Sequence, residues 1–346
     1  MPDETTMNDI KPLPDREVRR LAPDDLDGAV EIDREIIGHS RRGYFEKRLT
    51  AALRDPDAHI QFGIDGPEGL EALVLARVLS GEFGRETLAV ALEVIDVAPA
   101  HQHLGHGSLL LDVLESEMRH RGIEELQTAI AWTDHAMAKF LGANDFVKAP
   151  RHIISSAVDP SLKIESKGRT GHAGDGGTSV DDTDDVDDFD RADNIEALPR
   201  DQFEVASLAK QDLDALVLID RKRTGRDRRS YMSAKLDEAL LDSGIRVSLT
   251  ARTDGIVAGF VMARLDFGDF GRIVPVAVID TIGVHPDFAG RDIARALLSQ
   301  LMVNLNGLRV ESVETTVGLN NFDLLGCLYH AGFKPTQRIA LTKRVA

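Results

Sequence analysis

The sequence repeats itself once at a constant offset of 187 positions, as between Val18 and Val205, and this duplication constrains the fold more than any other feature. Ile32-Asp33-Arg34 aligns with Ile219-Asp220-Arg221, and Phe146 aligns with Phe333 near the end of the chain. Roughly a quarter of the aligned positions are identical, which a single fixed offset does not produce by chance. The repeat predicts two copies of one domain, over residues 15–157 and 201–346.

Residues 158–200, between the two copies, have a different composition. They are rich in glycine and contain the acidic run Asp181–Asp190, which only Val186 and Phe189 interrupt with apolar side chains. Low hydrophobicity and like charges oppose burial. We interpret this segment as a disordered linker; a regulatory acidic segment is the alternative.

Each copy predicts helices packed on a sheet. In the first copy, apolar residues at helical spacing predict helices over 24–37, 44–53, 107–121 and 134–141. Apolar runs of strand length predict strands over 59–64, 70–79, 88–97, 125–131 and 146–155. The order repeats in the second copy. It predicts an α/β fold, with a mixed, mostly antiparallel twisted sheet of about six strands in each copy.

The net charge of −17 makes nucleic acids and anionic membranes poor candidate partners. The single cysteine, Cys327, excludes an intramolecular disulfide and a cysteine-based zinc site. The N-terminal residues Met1–Pro14 are polar, and no stretch approaches the roughly 20 apolar residues of a membrane helix. We therefore expect a cytoplasmic protein that does not bind membranes.

The acidity has a distinctive composition. Aspartate contributes 38 of the 58 acidic residues, whereas lysine contributes only 11 of the 41 basic residues. Such usage is typical of halophilic proteins from a salt-saturated cytoplasm, as in haloarchaea. The alternative is an acidic mesophilic protein from a GC-rich genome.

The most informative stretch follows the predicted strand that ends at Val97. Pro99 ends the strand, and Gln102-x-x-Gly105-x-Gly107 leads directly into an amphipathic helix. Glycines allow backbone N–H groups to approach a ligand closely, and the helix start adds further N–H groups and its positive dipole end. This loop can hold a pyrophosphate without lysine, even in an acidic protein.

The stretch resembles the acyl-CoA-binding loop of the GCN5-related N-acetyltransferase (GNAT) family, Gln/Arg-x-x-Gly-x-Gly/Ala, and the resemblance covers both copies. It implies two tandem GNAT-like acyl-CoA N-acyltransferase domains that use acetyl-CoA as co-substrate. The acceptor would be a small-molecule or peptide amine that attacks the thioester directly. The two copies would pack within one chain or form a homodimer. The implied cofactor-binding residues are Val97, Gln102, His103, Leu104, Gly105, His106, Gly107 and Ser108.

The second copy departs from this motif. Ala289 stands in the place of Gln102, and Asp292 in the place of Gly105. A carboxylate beside a pyrophosphate costs about 1–4 kcal/mol at intermediate dielectric. We therefore expect acetyl-CoA in the N-terminal copy and a degenerate loop in the C-terminal one. Two alternatives stay open: a non-catalytic acetyl-CoA-binding or scaffold protein, and catalysis in the C-terminal copy only.

Glu93, four residues before Val97 on the same predicted strand, is the candidate general base, and Asp280 is its equivalent. Strand alternation predicts that Asp96 points to the opposite face. The family often places a tyrosine five residues before the closing phenylalanine as the acid for the thiolate. Leu141 and Leu328 occupy that position, and Tyr329 lies one residue away, so the general acid is not identified.

Two further features have competing interpretations. His101, His103 and His106 crowd the loop, but no carboxylate or thiol lies nearby in sequence, so we expect imidazoles beside phosphate or solvent and no metal. The motif Arg-Arg-x-Tyr recurs at 41–44 and 228–231, and Phe-Gly-Arg at 83–85 and 270–272. These motifs indicate either structural pairing with Asp33 and Asp220 or between the copies, or binding of an acidic acceptor or the 3′-phosphate of CoA.

Overall fold

The computed structural model describes residues 17–82, 87–159, 203–242, 247–266 and 276–346. This part of the chain forms two mixed seven-stranded sheets flanked by helices, which confirms the predicted α/β fold. Each sheet has seven strands rather than about six because short strands were not predicted at the start and near the end of each copy. Residues 160–200 of the predicted linker and both Phe-Gly-Arg motifs lie outside the described residues.

The described residues of the first half form seven strands and four α-helices. The strands are β1 (Glu17–Arg20), β2 (His59–Gly66), β3 (Gly69–Leu79), β4 (Ala89–Val97), β5 (Glu125–Ala131), β6 (Val147–Lys148) and β7 (Arg151–Ala157). The helices are α1 (Leu26–Ile37), α2 (Arg42–Arg54), α3 (His106–His120) and α4 (His135–Ala143).

The second half repeats the order. Its strands are β8 (Glu204–Ser207), β9 (Leu249–Thr253), β10 (Ile256–Asp266), β11 (Val276–Val284), β12 (Ser312–Gly318), β13 (Lys334–Pro335) and β14 (Arg338–Arg344). Its helices are α5 (Leu213–Thr224), α6 (Arg229–Asp237), α7 (Ile293–Gly307) and α8 (Phe322–His330). None of the helices in the described ranges is long and apolar enough to cross a membrane.

Two cores cover the faces of the first sheet. The predicted apolar face of α3 is fully buried, with Leu110, Leu114 and Met118 against one face of the sheet. Helices α1 and α2 cover the opposite face, where Phe45 and Leu49 pack on Leu73. Residues that alternate along β3 and β4 therefore belong to different cores.

The last long strand of each half belongs to the sheet of the other half. The strand orders are β1-β2-β3-β4-β5-β14-β6 and β13-β7-β12-β11-β10-β9-β8. Strand β14 pairs with β5 over seven residues, with Ala340 opposite Ala129, and β7 pairs with β12, with Ile154 opposite Thr315. The boundaries 15–157 and 201–346 remain a prediction from the repeat alignment. In space, each sheet combines strands of one half with a long strand of the other.

A break at Ala149-Pro150 allows this crossing. The single strand predicted over 146–155 is wrong: β6 stays beside β14 in the first sheet, and β7 continues in the second. Pro150 has no N–H to donate to a ladder. The N–H of Ala149 still bonds the carbonyl of Ala340 (2.8 Å), so the chain leaves the first sheet at this residue.

Side chains on the crossing strands link the two sheets. Arg338 donates to Glu314 Oε1 at 2.7 Å and to the carbonyl of Ala129 at 2.8 Å, so it joins both sheets. Arg151 donates to Glu125 Oε1 at 2.7 Å. Seven-residue ladders with ion pairs make each half dependent on the other.

We predict that a protein cut once between residues 160 and 202, through an introduced protease site, stays a single particle in size-exclusion chromatography. Each fragment still fills the ladder of the other. By contrast, residues 1–159 alone leave β5 without β14, and we expect them not to unfold cooperatively in urea. Fragments that separate after the cut, or an isolated first half with a cooperative transition, would contradict the exchange.

Candidate functional site

The central strands of each sheet separate partway along their length. Within the described residues, β4 and β5 pair at Val90–Leu126 and Ala91–Gln127 and at no position further along. At the point of separation, the Thr128 hydroxyl donates to the carbonyl of Leu92 at 3.1 Å. The second half has the same arrangement, with Thr315 and Ile279 at 2.9 Å. Each sheet thus contains a cleft whose wall carries backbone groups of the central strand.

Both candidate carboxylates lie at a β-bulge beside this cleft. Leu75 pairs with Val94 and Ala76 with Leu92, so Glu93 is the extra residue of β4. In the second half, the pairs Met262–Thr281 and Ala263–Ile279 leave Asp280 in the same position. A bulge redirects a side chain, and these two bulges direct acids toward the space between the halves.

The bulge overturns the prediction that Asp96 and Glu93 lie on opposite faces. The extra residue shifts the alternation of β4 by one position. Glu93 contacts Arg48 of α2, and Asp96 interacts with Asp33 of α1, so both point toward the helices α1 and α2.

Glu93 is 3 % exposed and held by two arginines. Arg48 Nη2 lies 2.5 Å and Arg77 Nε 3.2 Å from the same oxygen, Oε1. Asp280 has the equivalent partners, Arg264 at 3.3 Å and Lys235 at 3.5 Å. Both carboxylates are therefore members of ion-pair networks as well as candidate bases.

The two networks join across the halves. Arg77 Nη1 lies 3.4 Å from Glu238 Oε1, and Lys235 Nζ lies 2.8 Å from Glu238 Oε2 and 3.3 Å from Glu82 Oε1. Burial opposes the charged form of Glu238, but Lys235 and Arg77 lower its pKa. Burial likewise opposes the charge on Lys235, but Asp280 and Glu238 raise its pKa. Glu238 and Lys235 are thus both charged at neutral pH.

Two cavities adjoin this network. One, of about 810 Å³, is lined by α2, by Arg77 and by residues of both halves up to Asp280. The other, of about 520 Å³, includes Glu93, Thr128 and Asp280, and therefore opens onto both clefts.

His59 is a functional candidate that no sequence motif indicated. It lines the larger cavity, and its Nδ1 lies 3.0 Å from the carbonyl of Asp55. Burial, together with the charges of Arg48 and Arg77, lowers its pKa, so the imidazole is neutral and available as a base near Glu93. It lies opposite Arg77 in the β2–β3 ladder, a pairing that is visible only in the folded structure.

The predicted cofactor loop lies directly after β4, which ends at Val97, four residues beyond the bulge at Glu93. Gln102 Nε2 donates to the carbonyl of Val97 at 3.1 Å, which fastens the loop to the strand end. Gly105 precedes α3 with φ of 93°, a conformation that favours glycine. A Cβ at Gly105 would meet no atom within 4 Å, whereas one at Gly107 would press on Phe140. The first N–H groups of α3, from His106 to Ser108, lack partners within the helix by its geometry.

The second half forms the same loop backbone with different residues. Left-handed residues occur at His103 (62°) and Gly105 in the first half, and at Gly290 (73°) and Asp292 (57°) in the second. Asp292 thus adopts the conformation of Gly105 and adds a carboxylate to it. The exposed Leu104 lies between the two left-handed residues of the first loop.

The histidines of the loop differ in environment. His106 is 3 % exposed, and its Nε2 lies 2.9 Å from Glu71 Oε2, whereas His103 is exposed. His101 Nδ1 lies 3.6 Å from the same Glu71 oxygen. The carboxylate that is missing near these histidines in sequence comes from β3. The expectation that all three imidazoles face phosphate or solvent is wrong for His106.

The position of the family's tyrosine holds no hydroxyl. Leu141 and Leu328 are both fully buried, and Tyr329 is 40 % exposed. Asn321, by contrast, caps α8, accepting from the N–H of Leu324.

The repeated Arg-Arg-x-Tyr motif is structural in this fold. Arg41 pairs with the buried Asp33, and Arg228 pairs with Asp220 at 2.5 Å. Arg228 also donates to the carbonyl of Gly81 in the first half. The motif therefore forms an ion pair within each half and a hydrogen bond between them.

Asp96 is a partly buried acid beside this pair. Burial and the charge of Asp33 raise its pKa to about 7, although Arg41 opposes the shift. Its Oδ2 is buried without a partner, which fits a protonated carboxyl.

We predict that Asp96→Asn stabilises the protein above pH 7 and not below pH 4. The folded pKa exceeds the unfolded one, so the native state binds the extra proton, and wild-type stability falls as pH rises between about 4 and 7. Asparagine does not ionise and so removes this loss. At about 1.4 kcal/mol per pKa unit, we expect the free energy of unfolding to rise by a few kcal/mol. Urea unfolding from pH 4 to 8 measures it; the exposed Asp112→Asn is the control, and parallel curves for Asp96→Asn and wild type would contradict the prediction.

Comparisons with known proteins identify the fold. The model of the acetyltransferase (GNAT) family matches residues 213–333. A GCN5-related N-acetyltransferase from Sphaerobacter thermophilus superimposes with a TM-score of 0.55 and 15% identity, over 97% of each chain. A tandem GNAT protein from the clavulanic acid biosynthesis pathway gives 0.59 and 14% over 96% of this chain and 99% of that one. A GCN5-related N-acetyltransferase from Kribbella flavida gives 0.51 and 15% over 95% and 71%.

The family match over the second half and the tandem structures that span both halves agree with the duplication. The two clefts and loops occur once in each half. Residues 213–333 thus match the GNAT family, and the chain as a whole has the tandem GNAT fold of these solved structures.

Proposed function

We propose that the protein is an N-acyltransferase that moves an acetyl group from acetyl-CoA to an amine, with the cofactor bound in the N-terminal half. The observation that carries this proposal is the open loop at Gly105, which leads into α3 at the mouth of the cleft between β4 and β5.

The loop supplies an anion site. Backbone N–H groups at the start of α3 and its positive dipole end attract the pyrophosphate, and the space beside Gly105 admits it. The contributing residues are Gln102, His103, Leu104, Gly105, His106, Gly107 and Ser108. His106 acts through its backbone, because its side chain is directed toward Glu71. In the second half, Asp292 would repel the same group.

The cleft supplies the chemistry. Backbone N–H groups of β4 near Val97 polarise the thioester carbonyl. The amine nitrogen attacks that carbon, the C–N bond forms, and the C–S bond breaks. Glu93 accepts the amine proton, directly or through a water molecule, and His59 is the alternative base. With leucine at position 141, the CoA thiolate takes its proton from solvent.

The acceptor would enter between the halves. The two cavities lie between the halves, beside Glu93 and His59, and are large enough to admit an amine substrate. Both a small-molecule amine and a peptide amine fit this description.

A specific observation favours each rival function. The two arginines on Glu93 and the buried Leu141 favour a protein that binds acetyl-CoA without transferring it. The family match over residues 213–333 favours catalysis in the second half. The following two experiments separate these functions.

We expect Gly105→Asp to weaken acetyl-CoA binding by about 5-fold or more, as a carboxylate near the pyrophosphate costs about 1–4 kcal/mol. Gly122→Asp is the matched control, since Gly122 also has positive φ and a Cβ there meets nothing within 4 Å. Calorimetry measures binding. Unchanged binding by Gly105→Asp, or its loss in Asp292→Gly alone, would refute the N-terminal assignment.

We expect Glu93→Gln to lower kcat for thiol release by about 100-fold with little change in KM for acetyl-CoA, as loss of a general base does. Asp280→Asn is the control because it removes the equivalent acid of the second half. Thermal unfolding of both variants shows whether the loss of their ion pairs has destabilised the fold. If Asp280→Asn abolishes turnover and Glu93→Gln does not, catalysis belongs to the second half; if wild type releases no thiol with any amine, the protein only binds.

A further inference from the structure

Three side chains that are distant in sequence converge behind the anion loop. Glu71 lies on β3, His101 in the turn after β4, and His106 at the first residue of α3. One ligand atom from each lies within 4.8 Å of the other two. The nearest pairs are His106 Nε2 and His101 Nδ1 with Glu71 Oε2, at 2.9 and 3.6 Å.

We propose that Glu71, His101 and His106 bind a divalent transition-metal ion of the zinc type. Two imidazole nitrogens and one carboxylate oxygen form a set that such ions prefer. Ligands at about 2.1 Å from a tetrahedral ion lie about 3.4 Å apart. The present spacing brackets that value, so small side-chain rotations open a site.

The site is buried on one side and open to solvent on the other. The side chains of Glu71 and His106 are 6% and 2% exposed, whereas that of His101 is 31% exposed. An ion can therefore enter past His101 and keep a water ligand there. Nδ1 of His106 is buried without a partner, so Nε2 makes the only polar contact of this ring that the described residues provide.

The second half shows that the fold does not need these polar groups. The equivalents of Glu71, His101 and His106 are Ala258, Phe288 and Ile293, all apolar. Ile293 is 1% exposed and belongs to the core there. The polar cluster is therefore a feature of the first half alone.

A fourth position differs with them. A Cβ at Gly66 would overlap the Glu71 carboxylate, so glycine provides the room that this side chain occupies. The equivalent residue in the second half is Thr253. The space for the Glu71 carboxylate thus depends on a glycine that only the first half has at this position.

The experiment uses the untagged full chain after treatment with a chelator. Titration with Co²⁺, followed by visible absorption, and calorimetry with Zn²⁺ should give one ion per chain. The triple variant Glu71→Ala/His101→Phe/His106→Ile, which carries the residues of the second half, should lose this binding. The expected loss exceeds the roughly 10–100-fold caused by removal of an outer-shell partner.

Two further variants keep the test decisive. His103→Asn changes an exposed histidine of the same loop to a residue that tolerates positive φ, and should bind as wild type does. His101→Phe alone changes a partly exposed position and tests the site if the triple variant fails to fold. Wild type without binding at about 100 µM Co²⁺, full binding by His101→Phe, or loss in His103→Asn would each overturn the proposal. No acetyl-CoA is present, so this result is independent of the proposed function.

Discussion

The structure depends on the pairing of two exchanged strands. Strand β14 of the second half completes the first sheet along β5, and β7 of the first half completes the second along β12. Neither sheet is complete without the other half. The exchange also sets the distance between the two β-bulges, so that the ion pairs of Glu93 and Asp280 meet through Arg77, Glu238 and Lys235. The cavities between the halves are a consequence of this geometry.

On this shared frame the two halves have diverged in side chains and not in backbone. Both loops have two left-handed residues at equivalent positions, but glycine occupies the second in the first half and the first in the second half. Asp292 therefore places a charge where Gly105 leaves space. Behind the loop, the first half has a polar cluster, and the equivalent positions of the second half are apolar. The two halves therefore differ both in the loop itself and in the side chains packed behind it.

Local sequence predicted the fold and the loop well, because both depend on short-range signals. The repeat, the apolar face of α3 and the glycines around Gly105 are all visible within a few residues. Strand exchange could not be predicted, because two copies of one pattern present the same pairing edges within and between halves. The bulge at Glu93 was missed because alternation assumes one residue per position, and this error misplaced Asp96. Glu71 escaped detection because it meets His101 and His106 only after β3 and β4 pair.

The exchanged strands also have a consequence for how such a protein can change with time. Two separate half-chains that swapped their last strands would give the same pair of sheets as a symmetric dimer, with every substitution appearing in both sites. In one covalent chain, the partner surface is always present at an effective concentration that does not depend on protein abundance. Each site is then free to vary alone while the other keeps the assembly intact. The fused exchange thus converts an obligatory symmetry into a tolerated asymmetry.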